Sequence, residues 1–192
     1  MQESQQTLEN EQPSYWTSVG VAGLIFGIIT FALSLISIYA AINAEPTGSP
    51  FSATSLLGIV VCLVAAFGGM LATWHYANEY NAPLTLGRGA LIGLLTGVCI
   101  TIVTIILSQI WQFIDPDMVQ QWIDATVANF EAMDLPEEQK QQIIDSTVES
   151  MRDQYNIFRQ LWVGILMYGI LNLLTGMIGA KIFGKKEADN TI

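Results

Sequence analysis

Charge is scarce in this chain: Asp, Glu, Lys and Arg together make up 12% of its 192 residues, about half the roughly 25% usual in a soluble domain. Histidine occurs once and cysteine twice, and Lys and Arg together number seven. With one histidine, few Ser-His-Asp constellations can be drawn, and none presents itself. The seven basic residues form no patch, which argues against nucleic acid and against docking to anionic headgroups. Cys62 and Cys99 both lie inside apolar runs. There they read as small packing residues, not as a disulfide or metal pair. The leading tail, MQESQQTLENEQPSYW, has neither Lys nor Arg. The apolar run behind it is longer than the about 7–15 residues of a signal-peptide core, so it is expected to stay on the protein.

What is present is long apolar sequence. No charged residue lies between Glu11 and Glu45, Glu45 and Glu79, Arg88 and Asp115, or Arg159 and Lys181. Each window meets the about 20 residues needed to cross a bilayer. Four transmembrane helices are predicted, over about 17–43, 53–76, 87–113 and 160–182. Residues 1–15 read as an acidic disordered tail and 185–192 as a short C-terminal tail. Four spans put both ends of the chain on one side, with Arg88, Lys181, Lys185 and Lys186. The other side holds Lys140, Arg152 and Arg159, so counting positive charge favours cytoplasmic termini. Tyr15, Trp16, Trp74 and Tyr80 would anchor one interface, and Trp111 and Trp162 the other.

The stretch GRGALIGLLTG, from Gly87 to Gly97, tests the membrane reading. A phosphate-binding loop follows a strand and places Lys and Ser or Thr after its last glycine. Here Val98 and Cys99 follow Gly97, and the run is uncharged to Asp115. Gly89, Gly93 and Gly97 instead recur every four residues, on one helix face. In lipid, small residues let helix backbones approach closely, and dispersion contacts then hold them. Similar seams at alternating three-four spacing run through Gly20, Gly23 and Gly27, through Gly58 and Gly69, and through Gly169, Asn172, Gly176 and Gly179. The strict fours of the third span suit a right-handed crossing. The expected fold is all-α, a membrane four-helix bundle with one oblique helix.

Residues 115–159 carry ten acids against Lys140, Arg152 and Arg159, within a net charge of −10 for the chain. Their apolar residues are helical in spacing. Asp115 with Pro116 can open a helix whose face is Val119, Ile123, Thr126, Phe130 and Met133. After a break at DLPEE, Asp134 and Glu137 have capping-box spacing. Ile144, Val148, Met151, Tyr155 and Phe158 mark the next face. That series runs without a slip into Trp162, Ile165, Gly169 and Asn172. One helix from about Pro136 to Phe183, roughly 70 Å long, is predicted. The pair would form an antiparallel hairpin outside the bilayer, continuous with the last span.

HYANEYNAPLTLGRGALIGLLTG resembles the segment joining the second and third spans of an uncharacterised bacterial membrane family, classed as a domain of unknown function. The resemblance covers Trp16 to Lys186 and implies a four-span inner-membrane protein with a helical insertion between spans three and four. It carries over no reaction, cofactor or catalytic residue.

Candidate chemistry is thin. His75 and Glu79 share a helix face and could hold a metal, but no third ligand lies near in sequence. Interfacial anchoring among Trp74, Tyr76 and Tyr80 is the competing role. Asn172 suits an interhelical hydrogen bond. Thr101, Thr104 and Ser108 could line a path, or bond to carbonyls one turn back. The expectation is a non-enzymatic membrane protein, without cofactor, acting as scaffold or accessory subunit. Its partners would be the bilayer and a homo-oligomer or larger complex. A small transporter or lipid-handling protein is the alternative, and a metal-dependent enzyme at His75 and Glu79 the third.

Overall fold

A computed structural model describes residues 14–49, 53–81 and 84–184, with 53–55 as backbone alone. The expected tails at 1–13 and 185–192 lie outside the described residues. Six helices follow in order: α1 (Trp16–Ile42), α2 (Ala53–Tyr80), α3 (Leu86–Ile114), α4 (Met118–Glu131), α5 (Glu137–Gln154) and α6 (Ile157–Phe183). Proline, which cannot donate to the helical ladder, occurs in none of them. Four helices are long and apolar enough to cross a membrane: Trp16–Ile42, Leu56–Tyr80, Leu86–Ile114 and Ile157–Phe183.

These four helices form the bundle. Helix α3 packs most extensively on α6, while α2 touches α1, α3 and α6. Helices α1 and α6 stand at opposite corners and share at most a glancing contact. Burial is inverted relative to a water-soluble bundle. Large apolar side chains face outward, with Leu63 60% and Ile59 58% exposed. Ala65, Ala72, Thr73, Thr96 and Asn172 are fully buried. That pattern fits a multi-pass membrane protein, whose helices meet through small residues and present bulk to lipid.

Helices α4 and α5 pack on each other as the hairpin, α4 also packs on α1, and Met118, Ile123 and Met151 are the buried apolar residues of the pair. Val119, Phe130, Ile144, Val148 and Tyr155 are partly buried, as a two-helix layer allows. Phe158, placed on the same face by its spacing, is instead 84% exposed. The cause is a break in the helix that was expected to run from Pro136 to Phe183. Helix α5 ends at Gln154, and Asn156 caps α6, its side chain accepting from the Phe158 N–H at 3.0 Å. Asparagine satisfies an open helix start better than it fills a helix interior, so the local capping bond wins over the apolar series.

Two further caps differ from expectation. Asp115 ends α3 instead of opening α4, because Pro116 disfavours helical geometry in the residue before it; Asp115 sits at φ −133°, ψ 83°. Its carboxylate accepts from the Tyr39 hydroxyl, which in turn accepts from Trp111 Nε1 at 3.2 Å. Asp134 makes no capping box either. Pro136 is the N-cap of α5, and no side chain caps it. Glu137 and Glu138 in its first turn complement the helix dipole. A tether missed in the sequence ties the hairpin to the bundle. Asn129 Oδ1 accepts from the Thr47 and Gly48 N–H groups at 3.0 and 3.2 Å, and Nδ2 donates to the Ser49 carbonyl at 3.2 Å. Gly48 adopts φ +65°, and a Cβ there would collide with the Ala132 backbone.

Candidate functional site

The bundle has a closed half, toward the start of α3, and an open half, toward the hairpin. In the closed half the small residues of α3 and α6 interlock backbone to backbone. A Cβ on Gly89 would lie 2.5 Å from the Gly176 carbonyl oxygen, and one on Gly97 2.6 Å from the Tyr168 carbonyl carbon. A Cβ on Gly93 or Gly176 would likewise overlap facing backbone. Gly179 faces Thr73 of α2 and Gly169 faces Leu94. On α1, Gly23 receives Cys99 and Gly27 receives Val103. Gly20 and Gly58 depart from the expected seams: nothing lies within 4 Å of a Cβ built on either. They sit on outward faces, where regular spacing along one helix does not imply a partner. Gly68 and Gly164, absent from the predicted set, do meet neighbours, Ile100 and Thr101.

Asn172 ties α6 to α2 in this half. Its Oδ1 accepts from the Gly69 N–H at 2.6 Å, and its Nδ2 donates to the Tyr168 carbonyl at 2.8 Å. Thr175 donates from α6 to the Ala66 carbonyl of α2. At the far end, His75 Nδ1 lies 2.9 Å from Ser18 Oγ, across the α1–α2 interface. Glu79 is exposed beyond it. No group of three His, Cys, Asp or Glu residues able to hold a metal occurs among the described residues. The arginine beside the glycine run, Arg88, lies over the Tyr76 ring at 5.1 Å from its centroid.

In the open half the small-residue contacts run out, and a cavity of about 440 Å³ remains. Ser34 and Ile38 of α1, Thr101, Thr104, Ile105 and Ser108 of α3, and Gly164, Met167 and Tyr168 of α6 form its walls. Trp122, Ser150, Gln154 and Tyr155 of the hairpin region cover it, and Arg159 and Gln160 stand at its edge. The hydroxyl stripe of Thr101, Thr104 and Ser108 is thus brought together here. Thr101 returns its hydroxyl to the Gly97 carbonyl at 2.9 Å. Thr104 does not: its Oγ1 is buried and without a hydrogen-bond partner, as is Thr30 Oγ1. Burial pushes the Tyr155 phenol up to about 12, so it stays protonated at neutral pH.

Sequence reasoning found the hydroxyl stripe but not Arg159, Gln160, Ser150 or Gln154. In sequence these are ordinary polar residues of a charged segment. Only the α5–α6 break turns them toward the bundle. The usable signal was Asn156, a capping residue just before an apolar run.

No curated protein and no solved structure matches the chain. Residues 22–185 do match a family model, described as "Protein of unknown function (DUF4199)", and with most of its length covered the chain belongs to that family.

Proposed function

We propose that the chain is a non-enzymatic, multi-pass protein of the bacterial inner membrane that holds a lipid-like small molecule in the cleft beneath its hairpin. Both termini are cytoplasmic and 115–159 is extracytoplasmic in this reading, supported by Arg88 and Lys181 at one end of the bundle. The observation that carries it is the division of the bundle. Most of its glycines are used up inside one half, and the other half keeps a cavity with hydroxyl groups under a polar cover. Seams already occupied within the chain are not free to recruit other helices. The cavity volume falls within the roughly 300–1,000 Å³ usual for small-molecule sites.

The test is lipid analysis of the protein extracted in native-membrane discs. An amphiphile enriched over the surrounding membrane, and lost in Ser108→Phe, is expected. A lipid composition identical to that of empty discs removes the reading.

A second reading, scaffold or accessory subunit in a homo-oligomer or larger complex, draws on Phe113 and Phe158. These stand bare at the hairpin base, 90% and 84% exposed. Crosslinking in native membranes that recovers only monomer would count against it.

A further inference from the structure

We propose that the cleft takes an anionic single-chain amphiphile, its head at Arg159 and its chain directed toward Thr101; this rests on the ligand-holding reading above. Among the described residues that line the cleft, Arg159 is the one charged side chain. Its Nη1 holds Asp153 at 2.6 Å, yet about half of the side chain remains exposed. A guanidinium presents five N–H donors in a planar fork, so one ion pair does not exhaust it. Arg159 also lies in the first turn of α6, where the helix dipole favours negative charge. The hairpin carboxylates Asp124, Asp145 and Glu149 are exposed to solvent, where salt screens charge over about 10 Å.

The lining is mixed but uneven. Ser150, Gln154 and Gln160 accompany Arg159, while the walls of α1, α3 and α6 set Ile38, Ile105 and Met167 among the small hydroxyls of Ser34, Thr101, Thr104 and Ser108. One charged end and walls without charge suit a molecule with one anionic end and one largely apolar chain. The distance available is short. From Arg159 to Tyr168, α6 rises about 13 Å at 1.5 Å per residue. Together with the cavity volume, near the lower end of the small-molecule range, this admits one chain and not a two-chain lipid. The way in is lateral. Val163 and Met167 line the cleft and are also about half exposed on the outer face of α6. They border the gap between α1 and α6, the corners that do not pack together. A chain can slide in from apolar surroundings while its head stays level with the hairpin base.

The full chain in phosphatidylcholine nanodiscs is titrated with a diazirine-bearing dodecanoate, and photolabelled peptides are mapped by mass spectrometry. Saturable labelling of segments 101–108 and 159–168 is expected. Dodecanoate and dodecyl phosphate should compete about tenfold more strongly than dodecanol or dodecyltrimethylammonium. Either anion competing alone still supports the proposal and names the head group. Arg159→Gln should erase the preference for anions while dodecanol competes as before, and Arg159→Lys should keep part of it. Equal competition by neutral and anionic chains, or an unchanged preference in Arg159→Gln, overturns the anionic assignment but leaves the cleft reading standing. Labelling that never saturates overturns both.

Discussion

Alanine at Gly93 isolates the force that closes the bundle. A Cβ there would overlap the Asn172 carbonyl oxygen, 2.8 Å from its carbon and 3.1 Å from Gly176 Cα. All of these are backbone atoms, which cannot rotate away as a side chain would. Ordinary contact between carbons needs about 3.5–4.0 Å, so α3 and α6 must separate by up to about 1 Å. A gap of that size forfeits a quarter to a half of each contact it opens. It opens them along the whole Gly89–Gly97 line. Overpacking of this kind costs about 1–3 kcal/mol, and backbone opposition puts Gly93 at the upper end. Helix propensity offsets up to about 1 kcal/mol, because alanine is the better helix former. A net loss of about 1–2 kcal/mol is expected. Gly20→Ala and Gly58→Ala are the controls. With nothing within 4 Å, only the propensity term acts there, and stability should hold or rise by up to about 1 kcal/mol. Reversible unfolding in mixed micelles, followed by tryptophan fluorescence, measures all three. Gly93→Leu should show the same loss, enlarged. If Gly93→Ala were as stable as the unaltered protein, or if Gly20→Ala lost as much, close backbone approach would not be what holds α3 to α6.

Four further outcomes are expected. Asn172→Ala should lower stability by about 0.5–2 kcal/mol in the same unfolding assay, the range for hydrogen bonds between membrane helices, since it frees the Gly69 N–H. Asn156→Ala should cost about 0.5–2 kcal/mol through the lost cap; no change in the unfolding midpoint would mean that the cap does not fix the break. Tyr155 is raised to about 12 in the folded chain, against about 10 when unfolded. Its protonated form is therefore favoured by folding, and its contribution is complete below pH 10 and lost as pH rises toward 12. Tyr155→Phe should flatten that decline in a stability–pH series; an identical slope would contradict it. Ser146→Cys, with Cys62 and Cys99 replaced by alanine, should react with an impermeant maleimide added to intact cells, and reaction only after lysis would reverse the orientation.

The four long helices were legible because charge is excluded from them, and a window without Asp, Glu, Lys or Arg needs no knowledge of partners. The glycine line of α3 was legible for a related reason: strict fours specify a face. What that face touches was not, since one helix carries no information about its neighbour. Gly20 and Gly58 keep the same spacing as Gly23 and Gly69 yet face outward. The hairpin misled differently. Its apolar series runs unbroken from Ile144 to Gly179, and periodicity alone favours one long helix. Asn156 and Pro116 override periodicity through local backbone chemistry, a cap in one case and a forbidden conformation in the other. The cleft followed from those two breaks together, so no single motif announced it.

Closed and open halves have one origin. Along α3 the residues facing α6 are Gly89, Gly93 and Gly97, and then Thr101, whose side chain meets Gly164. Helices in contact at a point of closest approach diverge along their length unless larger side chains fill the widening space. Beyond Thr101 the residues of α3 that line the cleft are Thr104, Ile105 and Ser108, and Thr104 and Ser108 are too small to fill it. A bundle built only for stability would place Leu or Ile there, as its outer faces do at Ile102 and Ile106. Leaving Thr104 Oγ1 buried and unpartnered costs about 1–3 kcal/mol besides. The packing deficit disappears if something occupies the gap. An occupant with an apolar body would restore the missing contacts, and its polar end would meet Arg159 at the hairpin base. Stability and occupancy are then linked, since a ligand bound only by the folded form stabilises it in proportion to RT ln(1 + [L]/Kd). Replacing Thr104 and Ser108 by isoleucine and leucine should therefore stabilise the empty protein and remove its stabilisation by added amphiphile. A double variant that gains stability yet still responds to amphiphile would place the ligand somewhere other than this cleft.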